Sequence, residues 1–242
     1  MRKGKVWLIF LMILLFLWGA ATVLHPYING AVVDSTLRQE AQQFIDRITA
    51  PTEVTGEESV STEPEIQYAE LRRAMEAYNR AIWEEKQAGL CDPWSYIQPS
   101  FTLGEYGLED EVFGVVSIPK LELELPLYLG ASDEHLSNGA AVLSQTSIPI
   151  GGSNTNCVIA GHRGWYGASY FLHLDQLKAG DEIIITNLWE SLHYTVVETK
   201  TIQPNNVEAI HIQDNRELLT LLTCHPPASG GKERLLVFCE RI

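Results

Sequence analysis

From Val112 to the last residue the chain is cut into short apolar or alternating runs by Gly, Pro, Asn and Asp: VFGVVSI, LELPLYL, GAAVLS, NCVIAG, DEIIITN, SLHYTVVETKTI, LLTLLTC and RLLVFCERI. Runs this short, this closely spaced and bounded by turn formers are strands rather than helices. Eight of them in one stretch predict a mainly β domain, a closed barrel or a sandwich, with short helices at Ser132 to Ser137, around Phe171 to Leu177 and at Val207 to Ile210. In SLHYTVVETKTI, Leu192, Tyr194 and Val196 alternate with His193, Thr195 and Val197, as a strand with two unlike faces requires.

The first half reads differently. Val6 to Leu24 carries no charge, and at about 1.5 Å per residue it is long enough for a bilayer core of roughly 30 Å. Arg2, Lys3 and Lys5 precede it, which predicts a cytoplasmic N-terminus and an extracellular body held by one membrane helix. No A-x-A cleavage site follows the run, so it is expected to stay as an anchor. Asp34 to Thr49 has Leu37, Ala41, Phe44 and Ile48 on one helical stripe. Pro51 to Pro64 is an acidic, Ser- and Thr-containing linker. Glu65 to Gly89 is a second helix with Leu71, Met75, Tyr78 and Ile82 on one face and Gly89 as its cap. The expected organisation is residues 1–24 as stub and anchor, 25–107 as helical extension, linker and lid, and 108–242 as the barrel.

The net charge is −14, and the body without its basic stub is more acidic still. Phosphate binding needs clustered Lys and Arg, so nucleic acid is excluded as a partner. Cys91, Cys157, Cys224 and Cys239 form no C-x-x-C pattern. Cys157 and Cys239 sit in apolar runs and are expected as small buried hydrophobes, with Cys224 a free thiol. No His or Cys spacing matches a zinc site, and no acidic spacing matches a calcium loop, so neither a metal nor another cofactor is expected.

Three side chains stand out at strand ends. TLLTC ends on Cys224, a Gly- and Pro-rich loop follows, and ERLLV opens with Arg234. VIAGHRG delivers His162 from the end of another apolar run. A thiolate is a strong nucleophile and is favoured by nearby positive charge. A guanidinium fork can hold an oxyanion, and an imidazole can carry a proton to and from an amine. Together they are the parts of acyl transfer through a thioester. His225 adjoins the thiol, but successive strand residues point to opposite faces.

The phrases NTNCVIAGHRG, TLLTCHP and ERLLVFCER resemble those of the sortase family, the membrane-bound cysteine transpeptidases of Gram-positive bacteria. GASDEHLSNGAAVLSQTSIPIGG runs as it does in class C, the pilin-polymerising branch, and the resemblance covers Val112 to Ile242. It implies an eight-stranded sortase barrel with Cys224, His162 and Arg234 as catalytic triad and Thr223 beside the bound sorting signal. Asp92, Pro93 and Trp94 match the class C lid, which implies Asp92 near the Arg and Trp94 over the thiol. The implied reaction cleaves an LPXTG-like signal of a surface protein after Thr and passes the thioacyl group to an amine. In class C that amine is a pilin lysine; in wall-anchoring sortases it belongs to a peptidoglycan precursor. A membrane-tethered binding module without a reactive thiol is the alternative of another class. The loop after Cys224, HPPASGGKE, departs from the usual class C sequence and is one residue longer than expected.

Overall fold

The structure is a computed structural model that describes residues 2–50, 68–90, 100–165 and 167–242. Helix α1 spans Arg2–Thr49 and α2 spans Ala69–Glu84. Eight strands follow: β1 Val112–Ile118, β2 Leu123–Leu129, β3 Ala140–Val142, β4 Thr155–Ala160, β5 Glu182–Asn187, β6 Ser191–Ile202, β7 Glu217–His225 and β8 Glu233–Arg241. They close a barrel in the order β1-β2-β3-β4-β7-β8-β6-β5, with β5 pairing back to β1. The β2–β3 and β4–β7 pairs are parallel and the others antiparallel. The expected eight-stranded barrel is what forms, and each expected strand is present. Helix α3, Asp133–Asn138, falls where a short helix is expected; Ser132 caps it by accepting the His135 N–H at 3.0 Å. The other two short helices are 3-10 turns at Leu174–Gln176 and Val207–Ile210.

The continuous apolar runs are explained by burial on both faces. Every residue of β4 is buried, as are most of β1, β2 and β7. Inward residues such as Phe113, Ile159 and Leu221 fill the barrel, while Leu37 of α1 and Leu71 and Met75 of α2 join the same core from outside. Ala41 and Phe44 of α1 pack on Val112, Val115 and Tyr128. A fully buried side chain of the size of Phe44 contributes about 1.5–3 kcal/mol, which is why the two stripes read from the sequence become docking faces. Polar braces fix the docking. Asn79 of α2 donates to the Ile148 carbonyl at 2.9 Å and accepts from the Ile148 N–H at 2.8 Å.

Two sequence expectations need correction. The anchor and the following stripe are one helix, not two, and Pro26 lies inside it. Proline removes a single backbone donor, and the turns after it are held by contact with the body, as shown below. Gly89 does not cap α2. The helix stops at Glu84 with Glu85 as cap, and Lys86 and Gln87 both take positive φ before Gly89 is reached. The linker, residues 65–67 at the start of the second helix, Cys91 and the lid residues Asp92 and Trp94 lie outside the described residues. Among the described cysteines, Cys157, Cys224 and Cys239 are free, the first and last buried, and burial pushes both of those thiols well up from their ordinary range.

Candidate active site

The parallel pairing of β4 with β7 sets the site. Its register ends at Ala160 opposite Leu222. Two bonds carry the alignment further: the Gly161 N–H donates to the Leu222 carbonyl at 3.1 Å, and the Thr223 hydroxyl donates to the Gly161 carbonyl at 2.7 Å. The next residue on each strand is His162 and Cys224. On the other side, β7 and β8 place Arg234 directly opposite Cys224, and directly paired residues share a face. Three neighbouring strands therefore bring His162, Cys224 and Arg234 to one end of the barrel. Thr223 falls on the alternate face, buried, where its hydroxyl fastens the histidine strand to the cysteine strand.

The longer loop after Cys224 does not disturb this pairing. It turns through Gly230 and Gly231, both at positive φ, where glycine costs least. A Cβ on Gly231 would stand 2.8 Å from Arg234 Nη1 and 3.2 Å from Cys224 Sγ, so sulfur and guanidinium meet over the same glycine. Arg234 Nη1 donates to the Gly231 carbonyl at 2.5 Å and to the Glu233 carbonyl at 3.0 Å. These bonds hold one nitrogen of the fork in place beside the thiol.

Among the described residues, His162 is held by ring and backbone contacts rather than by a carboxylate. Its ring stacks on Trp165, with centroids 4.5 Å apart and planes 12° from parallel. Tyr170 meets it edge-on at 5.9 Å, and the Tyr170 hydroxyl is tied to the Ser137 carbonyl at 2.6 Å. The His162 carbonyl accepts the Phe171 N–H at 2.9 Å. Burial lowers the imidazole pKa from its ordinary 6.5, and the Asp133 carboxylate partly opposes that shift. The ring is therefore neutral at neutral pH. Titration by NMR should place it below 6.5, and Asp133→Asn should move it further down; a ring titrating at or above 6.5 contradicts the burial argument. The sign for stability follows. Between 6.5 and the lowered value the unfolded chain takes up a proton that the folded ring refuses, so stability falls as the pH drops through that window and is unaffected by this group above it.

Two site residues escaped the sequence reading. Arg163 follows the histidine, and its side chain is almost wholly buried. Its Nη2 pairs with Asp175 at 2.8 Å, while Nε and Nη1 have no hydrogen-bond partner among the described residues. Burial lowers its pKa, opposed by the nearby Asp175 and Cys224, so a second guanidinium lies within electrostatic reach of the sulfur. Trp165 is the other. The signal was present in GHRGW, an arginine and an aromatic set around Gly164, but neither has a periodicity that marks it as part of a site. His225 pairs with Glu233 at the end of β7, and its buried Nδ1 has no hydrogen-bond partner among the described residues. Among the described residues, no group of three or more His, Cys, Asp or Glu side chains is arranged to hold a metal ion.

Comparison with known proteins bears on this arrangement. Residues 116–242 match the profile of the Sortase domain. The chain is 33% identical over 133 residues to Sortase A of Streptococcus agalactiae serotype III (strain NEM316), covering 53% of this chain and 52% of that protein. It is 27% identical over 131 residues to Sortase D of Bacillus subtilis (strain 168), covering 53% and 63%. The chain thus spans about half the length of the first of these curated relatives. Solved structures match more of it. Sortase C1 of GBS Pilus Island 1 superposes with a TM-score of 0.70 at 27% identity, covering 85% of this chain and 91% of that one. Sortase C of Streptococcus pneumoniae does so with 0.69 at 30%, covering 84% and 96%. A shared fold over that span reaches past the barrel into the helices before it.

Proposed function

The chain belongs to the sortase family, with class C sortases among its structural neighbours, and we propose that it is a cysteine transpeptidase that joins an LPXTG-like sorting signal to an amine, a pilin lysine in pilus assembly. The observation that carries this reading is the direct pairing of Cys224 with Arg234 over Gly231, with His162 level with Cys224 when the β4–β7 register is continued. The Cys224 thiolate attacks the carbonyl carbon after Thr, and the charge that develops on its oxygen is met by the Arg234 guanidinium. The C–N bond to Gly breaks as His162, which has taken up the proton of the Cys224 thiol, gives that proton to the leaving amine. The acceptor amine then attacks the thioester, loses a proton to His162, and releases the thiolate. Thr223 aligns the histidine and cysteine strands beside the bound signal. An acceptor amine on a peptidoglycan precursor is the second reading, supported by the likeness to Sortase A proteins. Products formed with a lysine-bearing pilin and with a wall amine separate the two.

The direct test is mass spectrometry after incubation with an LPXTG-like peptide. A thioacyl adduct on the Cys224-containing fragment supports the transpeptidase. No adduct in a folded protein leaves the non-catalytic binding module as the better reading.

The proposal extends to the lid and the membrane. Asp92 is assigned to pair with Arg234 and Trp94 to cover the thiol. Replacing either by alanine is then expected to speed labelling of Cys224 by a small thiol reagent, and unchanged rates for both remove the lid. The apolar part of α1 is long enough to cross a membrane. With the basic stub on the cytoplasmic side, the barrel lies outside the cell.

A further inference from the structure

Helix α1 leaves its apolar run and meets the folded body at the loop that carries His162. A Cβ on Gly30 would collide with the Gly167 carbonyl, and a Cβ on Gly167 would collide with the Pro26 carbonyl. Backbone rests on backbone here, and glycine alone fits on either side. One turn later, Asp34 accepts the Ser169 N–H at 2.8 Å and the Ser169 hydroxyl at 2.9 Å. The segment after the histidine is thus fastened to α1 at Pro26, Gly30 and Asp34.

The level of that attachment is informative. None of the apolar window of α1 is buried. Its apolar surface continues past the run, with Tyr27 74%, Ile28 62% and Val32 57% exposed on the same turns whose Gly30 touches the loop. At about 1.5 Å per residue, Pro26 rises only roughly 3 Å beyond Leu24, within a headgroup layer about 5–8 Å thick, and Gly30 rises roughly 9 Å, at the outer edge of that layer. In the same loop Trp165 is 43% exposed while its ring stacks on His162. Tryptophan favours this depth, because its ring is apolar and its N–H polar.

We propose that the loop bearing Trp165 and Gly167 lies against the phospholipid headgroup layer, so that the His162 imidazole works one aromatic ring away from the bilayer surface. This rests on the reading of α1 as a membrane span and is independent of the reaction assigned to Cys224. The partner is the lipid surface itself, contacted through aromatic and apolar groups. The acidic body gains nothing from anionic lipid, so the contact should persist in neutral phosphatidylcholine and resist salt. Its consequence is selective: peptides tethered in the same bilayer reach the thiol without leaving the surface.

The test uses the full chain in phosphatidylcholine vesicles whose acyl chains carry bromine at shallow or deep positions. Tryptophan quenching in the wild type minus that in Trp165→Phe isolates Trp165. Shallow bromine is expected to quench that share more than deep bromine, whereas Trp7 and Trp18 report the span. Gly167→Val pushes the loop off α1 and should reduce the shallow quenching, with folding checked by circular dichroism. A Trp165 share untouched by either lipid, or unchanged quenching in Gly167→Val, overturns the proposal. A chain that forms the thioacyl adduct while Trp165 stays unquenched refutes the membrane contact alone; quenching without an adduct refutes the reaction alone.

Discussion

Cys224→Ala should abolish turnover of an LPXTG-like peptide, a fall in kcat/KM of about 10³-fold or more, because a covalent route has no substitute for its nucleophile. Arg234→Lys tests the same centre from its other side. Lysine keeps the charge, but a point ammonium cannot keep the fork in which Nη1 is anchored by the Gly231 and Glu233 carbonyls. Loss of a preorganised oxyanion donor costs about 10²–10³ in kcat. The lysine variant should therefore stay folded and alkylate at Cys224, yet turn over peptide slowly. Peptide cleavage followed by chromatography reads both variants. Residual turnover at the wild-type rate in Cys224→Ala would remove the thioester route, and full activity in Arg234→Lys would leave the guanidinium fork without a role.

Phe171→Ala should lower stability by about 3–5 kcal/mol, the cost of emptying a large buried aromatic site. Phe171 is fully buried. Its ring lies against Gly161, where a Cβ would stand 2.7 Å away, and its N–H holds the His162 carbonyl. The ring thus supports the backbone that carries the imidazole, and turnover should fall beyond what unfolding explains. Phe44→Ala provides the comparison. Phe44 is equally buried but packs between α1 and β1–β2, away from the histidine segment. Urea unfolding should show losses of similar size for both variants, with turnover per folded molecule reduced only in Phe171→Ala. Equal turnover in the two would separate Phe171 from the site.

The contrast between these residues shows what sequence reading captures. Cys224, His162 and Arg234 were legible because each ends or opens an apolar run, and a reactive side chain at a strand end is a local pattern. Phe171 was visible only as an apolar residue near a short helix. Its contact with Gly161 joins residues that no spacing relates. Arg163 and Trp165 were hidden for the same reason: each flanks a glycine in a loop, and loops carry no period. The docking of Gly30 on Gly167 is a still longer-range fact, since one glycine reads as a helical residue and the other as a turn. Pro26 shows the converse. Proline disfavours a helix interior, yet α1 runs through it, and tertiary contact on its C-terminal side holds the following turns.

By itself the sequence determined the strand count, the long N-terminal apolar run and which candidate side chains stand at strand ends, because binary patterning and turn residues act over a few positions. Only the tertiary structure decided that β7 lies between β4 and β8, which sets His162 level with Cys224 and Cys224 opposite Arg234. That adjacency depends on which strands pair in a closed barrel. Pairing is settled by the burial of all the faces at once, which no single segment records.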